Sequence, residues 1–180
     1  ALVLAACSSG SDEAPSAPDP GSGGPAASVD AGADAEPPPA PNSCGRVPPA
    51  ADGPRKVVVS HPYGEGGAKA NRFEVLELSP GGELTKTGQT FEMGRAFSEI
   101  AFTPDGAVGL VAQDDGSVGV FALDRAGTAH VVHAAFTGDF YASRIVLSRD
   151  GERAFVLDAQ TEDNGGGVHE LAIGCDGKLT

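Results

Sequence analysis

The sequence predicts an all-β fold built from a repeated four-strand unit, preceded by a long polar tail. Three observations support this prediction. Short apolar segments recur at a spacing of about 45 residues, and Asp-Gly, Gly-Gly and Ala-Gly turn sequences separate them. Large apolar side chains are almost confined to residues 44–180. A hydrophobic core is therefore expected only in that part of the chain.

The repeat is clearest between two long segments, residues 100–127 and 145–177. The matching pairs are IAFTPDG (100–106) with IVLSRDG (145–151), GLVAQ (109–113) with AFVLD (154–158), and VGVFALDRAG (118–127) with VHELAIGCDG (168–177). An earlier copy contains KVVV and FEVLELSPGG, at residues 56–59 and 73–82. We expect four short strands in each unit, named a to d in chain order, with tight turns between a and b and between c and d.

Four-stranded units of this length are typical of β-propeller blades. The segment IAFTPDGAVGLVAQDDGSVGVFALDRAG (100–127) resembles the YVTN and lactonase-type propeller repeat, with its Pro-Asp-Gly turn and Gly-Ser-Val-x-Val strand. The resemblance covers about residues 44–180 and implies a fold more than an activity. We therefore expect a partial β-propeller of about three four-stranded antiparallel blades, near residues 44–94, 95–139 and 140–180. Propellers typically have four to eight blades, so we also expect the chain to be a fragment. Another antiparallel sandwich is the alternative fold.

The first seven residues, ALVLAAC, resemble the end of a bacterial lipoprotein signal peptide. Leu-Ala-Ala-Cys looks like a lipobox, which implies that lipid is attached to Cys7. Residues 8–43 consist almost entirely of Ala, Pro, Gly, Ser and acidic residues, so we expect them to form a disordered linker. This predicts a protein of the bacterial cell envelope, anchored in the outer or inner membrane and facing the periplasm or the cell surface.

Charge and motifs exclude several classes of function. The chain carries a formal net charge of −13 and shows no basic stripe, which argues against nucleic-acid binding. It contains no G-x-S-x-G, Walker, H-E-x-x-H or C-x-x-C motif, so we predict no cofactor and no metal site. His130 and His133 are three residues apart, and on a strand they point to opposite faces.

Loop lengths indicate where a propeller of this kind would bind a ligand. In an up-and-down blade the b–c and d–a connections lie at one end, which we call the rim, and the tight turns lie at the other. The b–c connections of the first and third units are longer than that of the second, and binding residues usually accumulate on such loops. The candidate binding residues at the rim are His61, Tyr63, Lys69, Arg72, Asp114, Asp115, Tyr141, Glu162 and Asp163.

Glu99 and Arg144 occupy equivalent positions on strand a of neighbouring units and are the candidates for catalysis. An ion pair between them is the simpler interpretation. The leading hypothesis is a lipid-anchored binding or scaffolding module that contacts a protein or small molecule at its rim. The alternatives are a lactonase-type periplasmic or surface hydrolase and a purely structural envelope protein. Whether the protein is an enzyme stays open, although the absence of a complete catalytic motif weighs against it.

Two further cysteines, Cys44 and Cys175, leave a disulfide open. An exported protein can form one. The strand assignment, however, places Cys44 at the rim and Cys175 in a c–d turn at the opposite end. Because bonded cysteines need Cα atoms within about 7 Å, this assignment argues against the pair.

Overall fold

The computed structural model describes residues 43–45, 53–124, 126–160 and 165–180. Within these ranges the regular elements are ten β-strands and one 3-10 turn, Glu65–Gly67. The strands are β1 (Arg55–Tyr63), β2 (Lys69–Leu78), β3 (Leu84–Glu92), β4 (Ala96–Phe102), β5 (Val108–Gln113), β6 (Val118–Leu123), β7 (Ala129–Phe136), β8 (Ala142–Leu147), β9 (Arg153–Asp158) and β10 (Gly167–Ala172). In this part of the chain, no helix has the length and apolar character needed to cross a bilayer.

The strands form three antiparallel sheets, which correspond to the three expected blades. Blade 1 has the order β1-β2-β3, blade 2 the order β4-β5-β6-β7, and blade 3 the order β10-β9-β8. Blade 2 is a complete a–d unit, blade 1 supplies strands b to d, and blade 3 supplies strands a to c. A bridge between Ile173 and Leu179 begins the return of the chain along β10. The prediction of an all-β partial propeller is confirmed. The strand a expected for the first unit, near residues 46–52, lies outside the described residues.

Equivalent side chains form the a–b turns of blades 2 and 3. The hydroxyl of Ser148 donates to Asp150 Oδ1 at 2.6 Å, and Asp150 also accepts from the backbone N–H of Glu152. In blade 2 the hydroxyl of Thr103 makes the corresponding bond to Asp105 Oδ1. The glycine that follows each aspartate has a positive φ. The repeated Thr/Ser-x-Asp-Gly sequence is therefore a structural turn that sets the register of strands a and b.

Two clusters of buried apolar side chains hold neighbouring blades together. Phe73, Met93, Val111 and Phe121 pack between blades 1 and 2. The blade 2–blade 3 cluster contains Val108, Leu110, Ala112, Val118, Val120, Ala142, Ile145, Ala154, Val156, Ile173 and Leu179. Every residue of β5 is buried, as expected for a strand covered on both faces.

Gly109 on β5 makes room for the largest side chain at the first interface. It pairs across the sheet with Phe121. A Cβ atom at Gly109 would lie 2.2 Å from Cζ of that ring. The close packing of Phe121 therefore requires glycine at this position.

The expectation of a long b–c loop in the first unit is wrong in detail. Most of the extra residues extend the hairpin itself, because β1 and β2 have nine and ten residues where β5 and β6 have six each. Only residues 64–68 connect β1 to β2, and they include the 3-10 turn. The pairing of β1 with β2 also differs by one residue from the match between the repeats. In blade 1 Val58 faces Val75, at the place where Leu110 faces Val120 in blade 2.

The argument against a Cys44–Cys175 bond is also wrong. The two cysteines form a disulfide with Cα atoms 5.4 Å apart. The backbone N–H of Ser43 donates to Glu152 Oε1 at 2.6 Å, so this short segment lies beside the a–b turn of blade 3. The error came from extending the repeat back to Cys44. Residues 43–45 do not follow the repeat and lie at the turn end of the last blade.

Candidate functional site at the rim

Asp114, in the b–c turn of blade 2, joins side chains from two blades. Its Oδ2 accepts from Nε of Arg95 at 2.8 Å and from Nζ of Lys69 at 3.3 Å. The backbone N–H of Asp114 donates in turn to the carbonyl of Arg95 at 3.0 Å. Arg95 belongs to the connection between blades 1 and 2, and Lys69 begins β2. The turn of blade 2 is therefore bound to the hairpin and the connection of blade 1.

These contacts keep both charges of the central pair in place. The hydrogen bond from Arg95, assisted by Lys69, lowers the pKa of Asp114 against the opposing effect of burial. The same hydrogen bond raises the pKa of Arg95. Asp114 is thus ionised and Arg95 protonated across the physiological range.

Two tyrosines complete this group, which we call the rim cluster: Tyr63, Lys69, Arg95, Asp114 and Tyr141. The Tyr63 ring centroid lies 5.7 Å from Cζ of Arg95, within cation–π range. Tyr63 is 63% exposed, and the Lys69 side chain is 74% exposed. On the opposite side, the Tyr141 hydroxyl donates to the Asp114 carbonyl at 2.7 Å. The cluster therefore offers an aromatic face and a cation to solvent above a fixed ion pair.

Tyr141 also connects the rim cluster to blade 3. Its backbone N–H donates to Asp158 Oδ1 at 3.0 Å, and its carbonyl accepts from the N–H of Ala159 at 3.0 Å. Asp158 ends β9, and its side chain is only 1% exposed. The N–H groups of Tyr141 and Gln160, followed by His169, lower the pKa of Asp158, while burial opposes them.

The second oxygen of Asp158 faces an imidazole. Its Oδ2 is buried without a hydrogen bond of good geometry and lies 3.5 Å from Nε2 of His169. The His169 ring also packs against Phe140, with ring centroids 5.3 Å apart. The Asp158–His169 contact is an ion pair when the imidazole is protonated. The pair joins the last residue of β9 to β10, and Asp158 also accepts from the N–H of Gln160, two residues after it.

Other candidate residues have separate roles. His61 lies 3.2 Å from the carboxylate of Glu74. Arg72 faces His61 across the hairpin and is exposed. Asp115 accepts from the N–H and hydroxyl of Ser117 at 3.0 and 2.6 Å, which closes the b–c turn of blade 2. These three residues lie at the rim without joining the rim cluster. Glu162, Asp163 and the lipidation candidate Cys7 lie outside the described residues.

Glu99 and Arg144 contact each other, as the simpler interpretation expected. Arg144 Nε donates to Glu99 Oε1 at 3.0 Å. Both side chains are exposed, on the first strands of blades 2 and 3. His130 and His133 have different neighbours. His130 lies 3.9 Å from Asp124, whereas His133 accepts from the N–H of Leu179.

A metal site has no support in the described part of the chain. No group of three or more His, Cys, Asp or Glu side chains there is arranged to hold an ion.

Arg95 is the rim residue that the sequence analysis missed. The Arg95 carbonyl accepts from the first residue after strand b of blade 2, as the Tyr141 carbonyl does in blade 3. The two residues are thus equivalent positions in successive d–a connections. Tyr141 is selected because it lies in a d–a connection at the rim. The same reasoning selects Arg95.

Comparison with known proteins supports the fold. The chain matches no protein-family model and no curated protein. A solved structure of a functionally unknown protein from Desulfotomaculum acetoxidans is 28% identical, with a TM-score of 0.53 over 74% of this chain and 42% of that one. A Bacteroides fragilis protein described as a candidate 6-phosphogluconolactonase is 18% identical, with a TM-score of 0.52 over 72% and 37% of the two chains.

A second protein with that description, from Bacteroides uniformis, is 18% identical, with a TM-score of 0.50 over 62% of this chain and 34% of that one. The described residues therefore have the fold of part of a β-propeller, which they share with these structures. The chain spans less than half the length of each of these structures.

Proposed function

We propose that this chain is the propeller part of a lipid-anchored envelope protein that binds a protein partner through the rim cluster. The observation that carries the proposal is the joining of Arg95, Asp114 and Lys69 across two blades beneath the exposed ring of Tyr63. Tyrosine and arginine are enriched at the centres of protein interfaces. An arginine already held by a carboxylate and a ring loses little side-chain entropy on binding.

The anchor is supported by the sequence ALVLAAC and by the composition of the residues after it. Metabolic labelling with palmitate tests this part of the proposal. The full-length protein should incorporate the label, and the Cys7→Ala variant should not. Equal labelling of both proteins would contradict the anchor without affecting the proposal for the rim.

Site-specific photo-crosslinking in cells tests the binding surface. A photoreactive amino acid replaces Tyr63 at the rim or, as a matched control, Leu84, which is 47% exposed at the turn end of the same blade. We expect a discrete adduct from position 63 that Arg95→Ala weakens, and none from position 84. Adducts of equal yield at both positions, or adducts indifferent to Arg95→Ala, would contradict a role for the rim cluster.

A second candidate function is lactone hydrolysis on the first strands of blades 2 and 3. Two structures of the same fold are described as candidate 6-phosphogluconolactonases. The exposed Glu99–Arg144 pair supplies a carboxylate and a guanidinium on adjacent first strands. If this pair were catalytic, Glu99→Gln with Arg144→Gln would abolish lactone turnover by the full-length protein. Turnover that survives the double replacement would rule the pair out.

A further inference from the structure

The three blades differ in one repeated pair of positions near the rim. One position is the last residue of strand b in blades 2 and 3 and its equivalent by strand register in blade 1; the other is on strand c, diagonally across the ladder on the same sheet face. Blade 1 places His61 and Glu74 there, 3.2 Å apart. Blade 3 has the reverse order, with Asp158 on strand b and His169 on strand c, 3.5 Å apart.

Blade 2 has a neutral pair at the same positions. Gln113 ends strand b, and its Nε2 donates to the carbonyl of Ala134 at 2.8 Å. Gly119 on strand c leaves the space that the glutamine side chain fills, because a Cβ there would lie 2.2 Å from Gln113 Nε2. Blade 2 therefore has an uncharged, hydrogen-bonded glutamine side chain at the place where blades 1 and 3 each have an imidazole beside a carboxylate.

Each imidazole–carboxylate pair lies at the base of a rim segment. His61 precedes Tyr63 by two residues, close to the connection of residues 64–68 between β1 and β2. Asp158 binds the N–H groups of Tyr141 and Gln160, so it holds both the d–a connection and the start of the b–c connection. Loosening either pair would release backbone that positions the rim cluster.

The carboxylates are buried and the imidazoles are accessible to protons. The Glu74 and Asp158 side chains are 9% and 1% exposed, whereas His61 and His169 are 42% and 36% exposed. Around the blade 1 pair, Lys86 Nζ lies 3.6 Å from Glu74 Oε1, and Arg72 faces His61 from β2. Around the blade 3 pair, the neighbouring connection contributes the uncharged ring of Phe140, with Asp139 before it in the chain.

We propose that these two pairs are proton-dependent latches that tighten the rim of blades 1 and 3 as the pH falls. Histidine changes charge between about pH 5 and 8. A hydrogen bond between charged groups is roughly twice as strong as a neutral one. At low pH each imidazolium binds its buried carboxylate and fixes the backbone next to the pair, which includes residues 63–69 in blade 1 and residues 165–167 in blade 3. As the pH rises the attraction weakens, and these residues open more often.

The latch is independent of the proposed function, because it concerns local opening and not partner binding. Amide hydrogen exchange of the full-length protein measures it, with rates corrected for the intrinsic pH dependence of exchange. Between pH 7.5 and 5.5 we expect protection of residues 63–69 and 165–167 to rise about five-fold, by the difference between neutral and charged hydrogen bonds. Protection of the blade 2 turn at residues 114–117 should stay nearly constant.

Two single variants complete the test. His61→Gln should remove the pH dependence from residues 63–69 only, and His169→Gln should remove it from residues 165–167 only. Glutamine keeps a hydrogen-bonding group without titrating, as Gln113 does in blade 2. A pH dependence that persists in the matching variant, or one of equal size at residues 114–117, would overturn the proposal, as would its absence from the unmodified protein.

Discussion

The ring of Tyr141 covers Gly116, so closely that a Cβ atom at Gly116 would lie 2.4 Å from Tyr141 Cδ2. Gly116 also has a φ of +84°, and its carbonyl accepts from the N–H of Ala142 at 2.8 Å. The connection from blade 2 into blade 3 thus packs directly on a glycine in the b–c turn of blade 2.

This contact predicts an unequal effect of two glycine replacements. Gly116→Ala should destabilise the domain by about 1–2 kcal/mol for the positive φ and by about 1–3 kcal/mol more for displacing the ring. Gly82→Ala is the matched control, because Gly82 has a φ of +86° and open space around its Cβ position. Urea unfolding of both variants checks the difference. Equal losses of stability would show that the ring does not rest on Gly116.

The disulfide predicts a large effect on stability. It closes a loop between residues that are 131 positions apart. The chain-entropy estimate for such a loop is about 5 kcal/mol. Cys44→Ser combined with Cys175→Ser should lower the free energy of unfolding by an amount of this order, and reductant should then have no further effect. A double variant as stable as the oxidised protein would contradict the bond.

The a–b turn of blade 3 predicts acid sensitivity. The Ser148 hydroxyl, with the N–H of Glu152, lowers the pKa of Asp150 below its ordinary value. The stabilisation from such a group is present above the pKa that the group has in the unfolded chain, about 4, and is lost as the pH falls through the lower folded value. Stability should therefore fall between about pH 5 and pH 2, and less steeply in Asp150→Asn.

Glu65→Gln is the control for the loss of one negative charge, since Glu65 lies in the exposed turn between β1 and β2. As the pH falls, the free energy of unfolding of the Glu65→Gln variant should decrease in the same way as that of the unmodified protein. If Asp150→Asn shows the same acid slope as Glu65→Gln, the turn does not contribute.

The Gly109–Phe121 contact predicts strong non-additivity. Gly109→Ala should cost about 1–3 kcal/mol, because its methyl group would meet the Phe121 ring. In a Phe121→Leu background the ring is absent and the alanine should be tolerated better. A double-mutant cycle should therefore give a coupling of about 1 kcal/mol or more. Additive losses would contradict the packing of this ring over Gly109.

The sequence predicted the blades because their determinants are local. Turn sequences such as Thr103-Pro104-Asp105-Gly106 and strands such as β5 carry their own signals of conformation and burial, and they recur. The repeat also placed Tyr63, Lys69, Asp114 and Tyr141 at the same end of the molecule, where the structure brings them together.

Contacts between distant segments could not be predicted in the same way. The position of Cys44 depends on a part of the chain that departs from the repeat, so extrapolation placed it at the wrong end. Blade 1 has the histidine on strand b and the carboxylate on strand c, whereas blade 3 has them the other way round. An alignment of the repeats therefore does not show that the two pairs are alike. The equivalence of Arg95 and Tyr141 could have marked Arg95 as a rim residue, but only the fold shows that its side chain reaches Asp114.

The central claim is that the b–c connections emerge together at one end of the blades, with the disulfide-bonded turn at the other. Spin labels attached through a non-cysteine chemistry test it directly by pulsed distance measurement. Labels at Lys69 and Asp115 should be close, since Lys69 reaches the neighbouring Asp114. Lys69 and Lys178 lie at opposite ends of the blades, so the distance between labels at these two positions should be longer. The difference should be about 30 Å, the length of a nine-residue strand. Equal distances for the two pairs, or a shorter one for the second, would contradict the account.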